Sequence, residues 1–239
     1  MEESRALQRA GWAGAVAVVL LVVGLTLCAM AGVEEPGVSD AAILDRLDDG
    51  ARQTAGGIGL PVLGVGLALL LWFAVGLRRV LDRLSGGDPL AHATVPAAAL
   101  LGGLMITAVS LDVGSAFAAL SDEFTPDPDT ARALGMAAAV VGLTGLTGGA
   151  VLVAVTTRIA QQARAVPRWA VWVSYAVAVL CLSGFWSGGM ASVAFALWLV
   201  GAVIGVLRSL RRTPAAPAVP EQRTPAPEAA RIPPTATSG

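Results

Sequence analysis

Six apolar stretches dominate this chain, and a water-soluble fold has nowhere to bury them all. They run near residues 12–33, 57–77, 95–120, 131–156, 169–186 and 190–207. About 20 apolar residues cross the roughly 30 Å of hydrocarbon in a bilayer. A helix is the element that satisfies every backbone N–H and C=O within one such segment. The expected fold is therefore all-α, a polytopic transmembrane bundle of six helices over residues 12–207. Composition agrees, with 55% of residues hydrophobic and 14% charged. The last two stretches are the shortest, parted by Ser187-Gly188-Gly189, with Trp186 at the water boundary.

Arginine placement predicts the orientation, because short cytoplasmic segments of membrane proteins collect positive charge. The chain has no lysine. One set of alternating segments carries Arg5 and Arg9, then Arg78, Arg79 and Arg83, then Arg158, Arg164 and Arg168. It ends with Arg208, Arg211, Arg212, Arg223 and Arg231. The other set holds Arg46, Arg52 and Arg132, among acidic residues such as Glu34, Glu35, Asp40, Asp45, Asp122 and Glu123. The first set, with residues 1–11 and the tail 208–239, is expected in the cytoplasm. Trp12, Trp169 and Trp172 lie near that boundary as anchors. A cleaved signal peptide ending near Ala29-Met30-Ala31 is disfavoured by the length of the first apolar run and by Glu2 and Glu3. The bias toward Ala, Gly, Val and Arg points to a GC-rich bacterial genome, and so to the bacterial cytoplasmic membrane.

Outside the spans, Ser39 to Asp49 reads as a short outer amphipathic helix. Ser39 is its N-cap, and Ile43, Leu44, Leu47 and Ala51 form its apolar stripe. Its expected role is to cover the helix ends beneath it. Ser121 to Thr130, with Pro126 and Pro128, reads as a tight non-helical connection. From Thr213 onward the chain holds seven of its fourteen prolines and too little apolar material to fold, so a disordered tail is expected. Arg-Thr-Pro occurs twice there, at Arg212 and Arg223.

Asp112 is the one ionisable side chain clearly inside a span, where an unpaired charge costs several kcal/mol. Its position in the outer half of the third helix allows two readings. It pairs structurally with Arg132 or Arg52, or it joins Thr107, Ser110, Thr144 and Thr147 in a polar path for a transported ligand. His92 is the only histidine, and one imidazole supplies neither bis-histidine haem ligation nor a multi-histidine metal centre. Ser187 lacks a histidine on its own face of the bilayer, which removes a serine-protease dyad. Cys28 and Cys181 are isolated thiols within apolar runs. No cofactor and no metal is expected.

Several glycines stand at small-xxx-small spacing, which lets helix backbones approach closely in lipid. The pairs are Gly145 with Gly149, Gly184 with Gly188, and Gly201 with Gly205. Packing within the bundle and homodimerisation both use such pairs. Gly64, Gly66, Gly102 and Gly103 are expected to pack the second and third spans.

Pro36-Gly37, Leu71-Trp72-Phe73 leading into Leu77-Arg78-Arg79, and Val166-Pro167-Arg168-Trp169 are topological landmarks. On them, residues 10 to 207 resemble a group of uncharacterised six-span membrane proteins of actinobacteria. The resemblance implies the topology and no activity.

The leading expectation is a non-enzymatic scaffold or accessory subunit of a cell-envelope complex. Its partners would be the lipid bilayer and a membrane protein or a second copy, not nucleic acid. The alternative is a small transporter or channel using Asp112. An enzyme ranks last, because the arginine-rich face offers only Asp82, Asp88 and His92 beside its arginines.

Overall fold

The computed structural model describes residues 2–32, 38–118, 127–184 and 190–212, and among them there are helices and turns but no strand. In chain order the helices are α1 (Glu2–Ala31), α2 (Asp40–Asp48), α3 (Gly50–Ser85), α4 (Thr94–Ala118), α5 (Pro128–Gln162), α6 (Arg168–Leu182) and α7 (Met190–Arg212). A 3-10 turn over Pro89–Ala93 leads into α4. Five of the helices, α1, α3, α4, α5 and α7, are long and apolar enough to cross a membrane. α6 has 15 residues, and at 1.5 Å per residue it is only about 22 Å long. Pro36-Gly37, Ser187, Gly188 and the tail from Thr213 lie outside the described residues.

Local chemistry sets the helix ends. Ser39 caps α2 by accepting from the Ala42 N–H at 3.4 Å. Asp49 does the same for α3, its carboxylate accepting from Ala51 N–H at 2.9 Å. α3 stops where Gly86 turns left-handed at φ 67° and Gly87 N–H bonds back to Asp82 O at 3.0 Å. The loop expected up to Thr130 ends earlier, for a specific reason. Asp127 accepts from Thr130 N–H at 3.0 Å and from its hydroxyl at 2.6 Å. Pro128, read from sequence as a breaker, instead occupies the first turn of α5, where its missing N–H costs nothing.

The long helices pack in chain order, and α7 returns against α1, so α1, α3, α4, α5, α6 and α7 form a closed ring. In lipid the hydrophobic effect does not drive helices together, so close backbone contact carries much of the association. α1 and α3 run antiparallel at glycine-mediated distance. A Cβ added at Gly24 would lie 2.7 Å from Leu63 N, and one at Gly59 2.9 Å from Cys28 N. α4 and α5 meet the same way at Gly148, where a Cβ would sit 2.7 Å from both Ala97 O and Leu101 N. α6 and α7 form an antiparallel hairpin, with Trp198 Nε1 donating to Ser174 Oγ at 3.2 Å. Near its tip, Gly184 faces Leu143, halfway along α5.

Within the ring lies one large apolar cluster that includes Leu63, Leu70, Phe73, Leu101, Leu146, Val153, Phe195 and Leu199. α2 lies across the ends of α4 and α5. Its Ile43 and Leu47 are buried with Ala116 and Ala131, while Leu44 of the same predicted stripe is exposed. Arg132 of α5 holds the start of α2, donating to Val38 O at 2.9 Å and pairing with Asp40 and Asp129.

A candidate functional site around Asp112

α4 carries Asp112 to the end of the bundle where α1 finishes and α3 and α5 begin. The side chain is only 8% exposed. Three glycines make room there. Gly32 faces the carboxylate so closely that a Cβ would overlap Oδ2, and a Cβ on Gly135 of α5 would be 3.9 Å from Oδ1. Gly56 of α3 accommodates the neighbouring Val113, whose methyl lies 2.8 Å from where a Cβ would stand. Cys28, Ala31 and Val113 close the apolar side of the pocket. Ser115, also buried, donates its hydroxyl to Asp112 O at 3.3 Å.

The arginines expected beside Asp112 have other partners. Arg52 Nη1 donates to Met30 O at 3.2 Å, and its Nε pairs with Asp49 at 3.3 Å. Arg132 serves the α2 clasp. Thr107, Ser110 and Thr144 do not gather around the carboxylate but stand exposed on the outside of the bundle. Thr107 donates to Gly103 O and Thr144 to Val140 O, both at 2.8 Å. Thr147, half-buried, donates to Thr144 O at 2.7 Å. Such bonds to the helix's own carbonyls satisfy a hydroxyl that faces hydrocarbon.

The buried polar side chains among the described residues are Thr94, Asp112, Ser115 and Thr157. They fall at two ends. Asp112 and Thr94 lie on the same helix, 18 residues and therefore about 27 Å apart. The buried α4 positions between them are Ala97, Ala98, Leu101, Gly102 and Ala108. Thr94 is fully buried at the far end, and its hydroxyl has no hydrogen-bond partner. His92 stands exposed in the 3-10 turn. No group of three or more His, Cys, Asp or Glu among the described residues is placed to hold a metal ion.

The predicted packing glycines divide. A Cβ at Gly145 would meet Leu104 at 3.1 Å, at Gly149 the Phe195 ring at 3.2 Å, and at Gly184 Leu143 at 3.1 Å. Gly201 and Gly205 face open space, as do Gly64 and Gly103. Of the glycines closest to another helix's backbone, Gly148 belongs to the glycine-dense run Gly142 to Gly149 that the sequence marks for close helix approach, whereas Gly24 and Gly59 stand outside the small-xxx-small pairs. Gly32 falls within the first apolar stretch near residues 12–33, but α1 ends at Ala31, and the Gly32 N–H bonds Cys28 O at 3.0 Å.

Beside Gly32 the ends of α1, α2 and α3 surround a cleft of about 590 Å³, with Arg46, Asp49 and Arg52 on its walls. Nothing in the spacing of these residues brings them together before folding. Compared with protein-family models, curated proteins and solved structures, the chain matches none.

Proposed function

We propose that this chain is a non-enzymatic membrane protein, a scaffold or accessory subunit of a cell-envelope complex. It sits in the bacterial cytoplasmic membrane with six crossings and both termini in the cytoplasm. The observation that carries the reading is the interior. Asp112 and Thr94 are about 27 Å apart along one helix, and the apolar cluster of Phe73, Leu101, Leu146 and Phe195 fills the ring between. A transport path needs polar groups or water along its length, and the hydroxyls of Thr107, Ser110 and Thr144 face outward instead.

The arginine asymmetry supports the orientation. The α6–α7 pair supports an even number of crossings, because two antiparallel helices with only seven residues between Leu182 and Met190 cross together or not at all. The termini then share a side, although α6 alone is short. The outward face of α7, where Gly201 and Gly205 meet nothing within 4 Å, supports a helix-packing partner in the membrane.

Photo-crosslinking residues at Leu197 and Ile204, both exposed on α7, test the reading in living cells. A discrete adduct with a membrane protein or a second copy is expected from these sites and not from Trp72, exposed on α3. Absence of any adduct, with a purified chain that stays monomeric and alone, overturns it. Reporter fusions at residue 239 and near Asp48 are expected on opposite sides.

A further inference from the structure

We infer that α2 is a hinged lid over the Asp112 carboxylate, latched by Arg132, and that its release opens Asp112 to the solution at that end of the bundle. On α4, Ala116 stands one helical turn closer to the bundle end than Asp112, and on α5 Ala131 stands one turn closer to it than Gly135. Gly135 is where α5 approaches the carboxylate. Ile43 and Leu47 of α2 are buried with Ala116 and Ala131. The layer next to Asp112 on its α4–α5 side is therefore built with α2, while Gly32 covers the α1 side.

The two ends of α2 are held differently. At its start, Arg132 donates to Val38 O and pairs with Asp40, which ties α2 to α5. At its finish, Asp49 joins α2 to α3 in extended backbone, φ −75° and ψ 101°. The Asp49 carboxylate caps α3 through the Ala51 N–H, so α3 keeps its own start when α2 swings. The first end is a latch and the second a hinge.

Nine residues make a helix too short to persist undocked in water. Ile43 and Leu47 are the side chains that α2 buries, while Leu44 and Asp45 are exposed. An element with so little buried apolar surface opens locally at small cost compared with the bundle. The latch is itself a surface pair, with the Arg132 and Asp40 side chains 39% and 71% exposed, so salt weakens it. An exposed ion pair holding a lid over a buried carboxylate couples the ionic conditions outside to access at Asp112. The device is independent of which membrane side α2 faces and of the partner proposed above.

The test uses the full chain purified in neutral detergent. A water-soluble carbodiimide with an added amine converts reachable carboxyl groups to amides, and peptide mass mapping follows Asp112. The chain has no lysine to compete as an internal amine. Arg132→Gln and Asp40→Asn are each expected to raise the rate at Asp112 about fivefold. Both should also speed amide exchange over residues 40–48. The two substitutions alter the local charge in opposite senses, so a rise in both reports opening and not a shifted ionisation of the carboxyl. In the unaltered chain, raising sodium chloride from about 0.05 M to about 1 M is expected to raise the same rate. Asp45→Asn, exposed on α2 and outside the latch, is expected to leave it unchanged.

If α2 exchange accelerates while Asp112 stays protected, α2 has no bearing on access and the inference fails. It fails too if neither latch variant changes the rate, if only one does, or if Asp45→Asn raises it equally. Cys181, buried in α6, reports unfolding. Should a latch variant also expose Cys181 to maleimide, the salt response of the unaltered chain decides, and a flat response overturns the lid.

Discussion

Replacing Gly148 with alanine tests whether close backbone approach holds α4 against α5. The added Cβ would stand 2.7 Å from Ala97 O and Leu101 N, where ordinary contact begins at 3.4 Å. Both neighbours are backbone atoms, so no side chain can swing aside and the helices must part by about 0.7 Å. A gap of that size forfeits a quarter to a half of each affected dispersion contact, itself worth about 0.1–0.2 kcal/mol. Over on the order of 30 facing atom pairs the loss is about 1–3 kcal/mol, the usual range for an overpacked interior.

Alanine returns roughly 0.5–1 kcal/mol of helix propensity, leaving a net cost of about 1–2 kcal/mol. Gly103→Ala is the matched control. That glycine is on α4 and meets nothing within 4 Å, so it receives the propensity gain without the clash. The two variants are expected to differ by about 2 kcal/mol, near a 30-fold ratio of folded to unfolded protein. Reversible unfolding in mixed micelles, followed by far-ultraviolet circular dichroism, measures the difference. Gly148→Ala proving as stable as Gly103→Ala would refute the reasoning, because the interface would then be loose enough to absorb a methyl group.

Two further outcomes follow from the same geometry. Gly32→Ala puts a methyl where the Asp112 carboxylate lies and is expected to cost about 1–3 kcal/mol. In an Asp112→Ala background the cost should fall by at least about 1 kcal/mol, and strictly additive stabilities in the double-mutant cycle would remove the contact from the argument. At the start of α5, the hydrogen bonds from the Thr130 hydroxyl and N–H hold the Asp127 carboxyl below its ordinary value. A depressed folded pKa contributes stability that is complete above the unfolded value and lost as pH falls through the folded one. Amide exchange at residues 129–132 should therefore accelerate only below the usual carboxylate range near about 3.9. Asp127→Ala should show fast exchange at every pH, and a wild-type profile that is flat into strong acid would contradict the cap.

The helices themselves were legible in the sequence, because length and apolarity are local properties and lipid demands both of any segment that crosses it. The α2 helix was legible too, since Ser39 and the Ile43 and Leu47 pair carry their signal within one short segment. Asp127-Pro128 was not, because a proline means a break or a first turn depending on whether the residue before it caps a helix.

Which face of each long helix points inward was decided only by the tertiary structure. In a bilayer the lipid and the core are equally apolar, so the pattern that marks the buried side of a soluble helix is weak. Gly148 and Gly201 look alike along the chain, yet one touches backbone and the other meets nothing within 4 Å. The same holds at Asp112. Its depth followed from counting residues along a helix, while the Gly32 backbone above it and the Arg46 and Arg52 cleft beside that glycine exist only because separate helix ends meet.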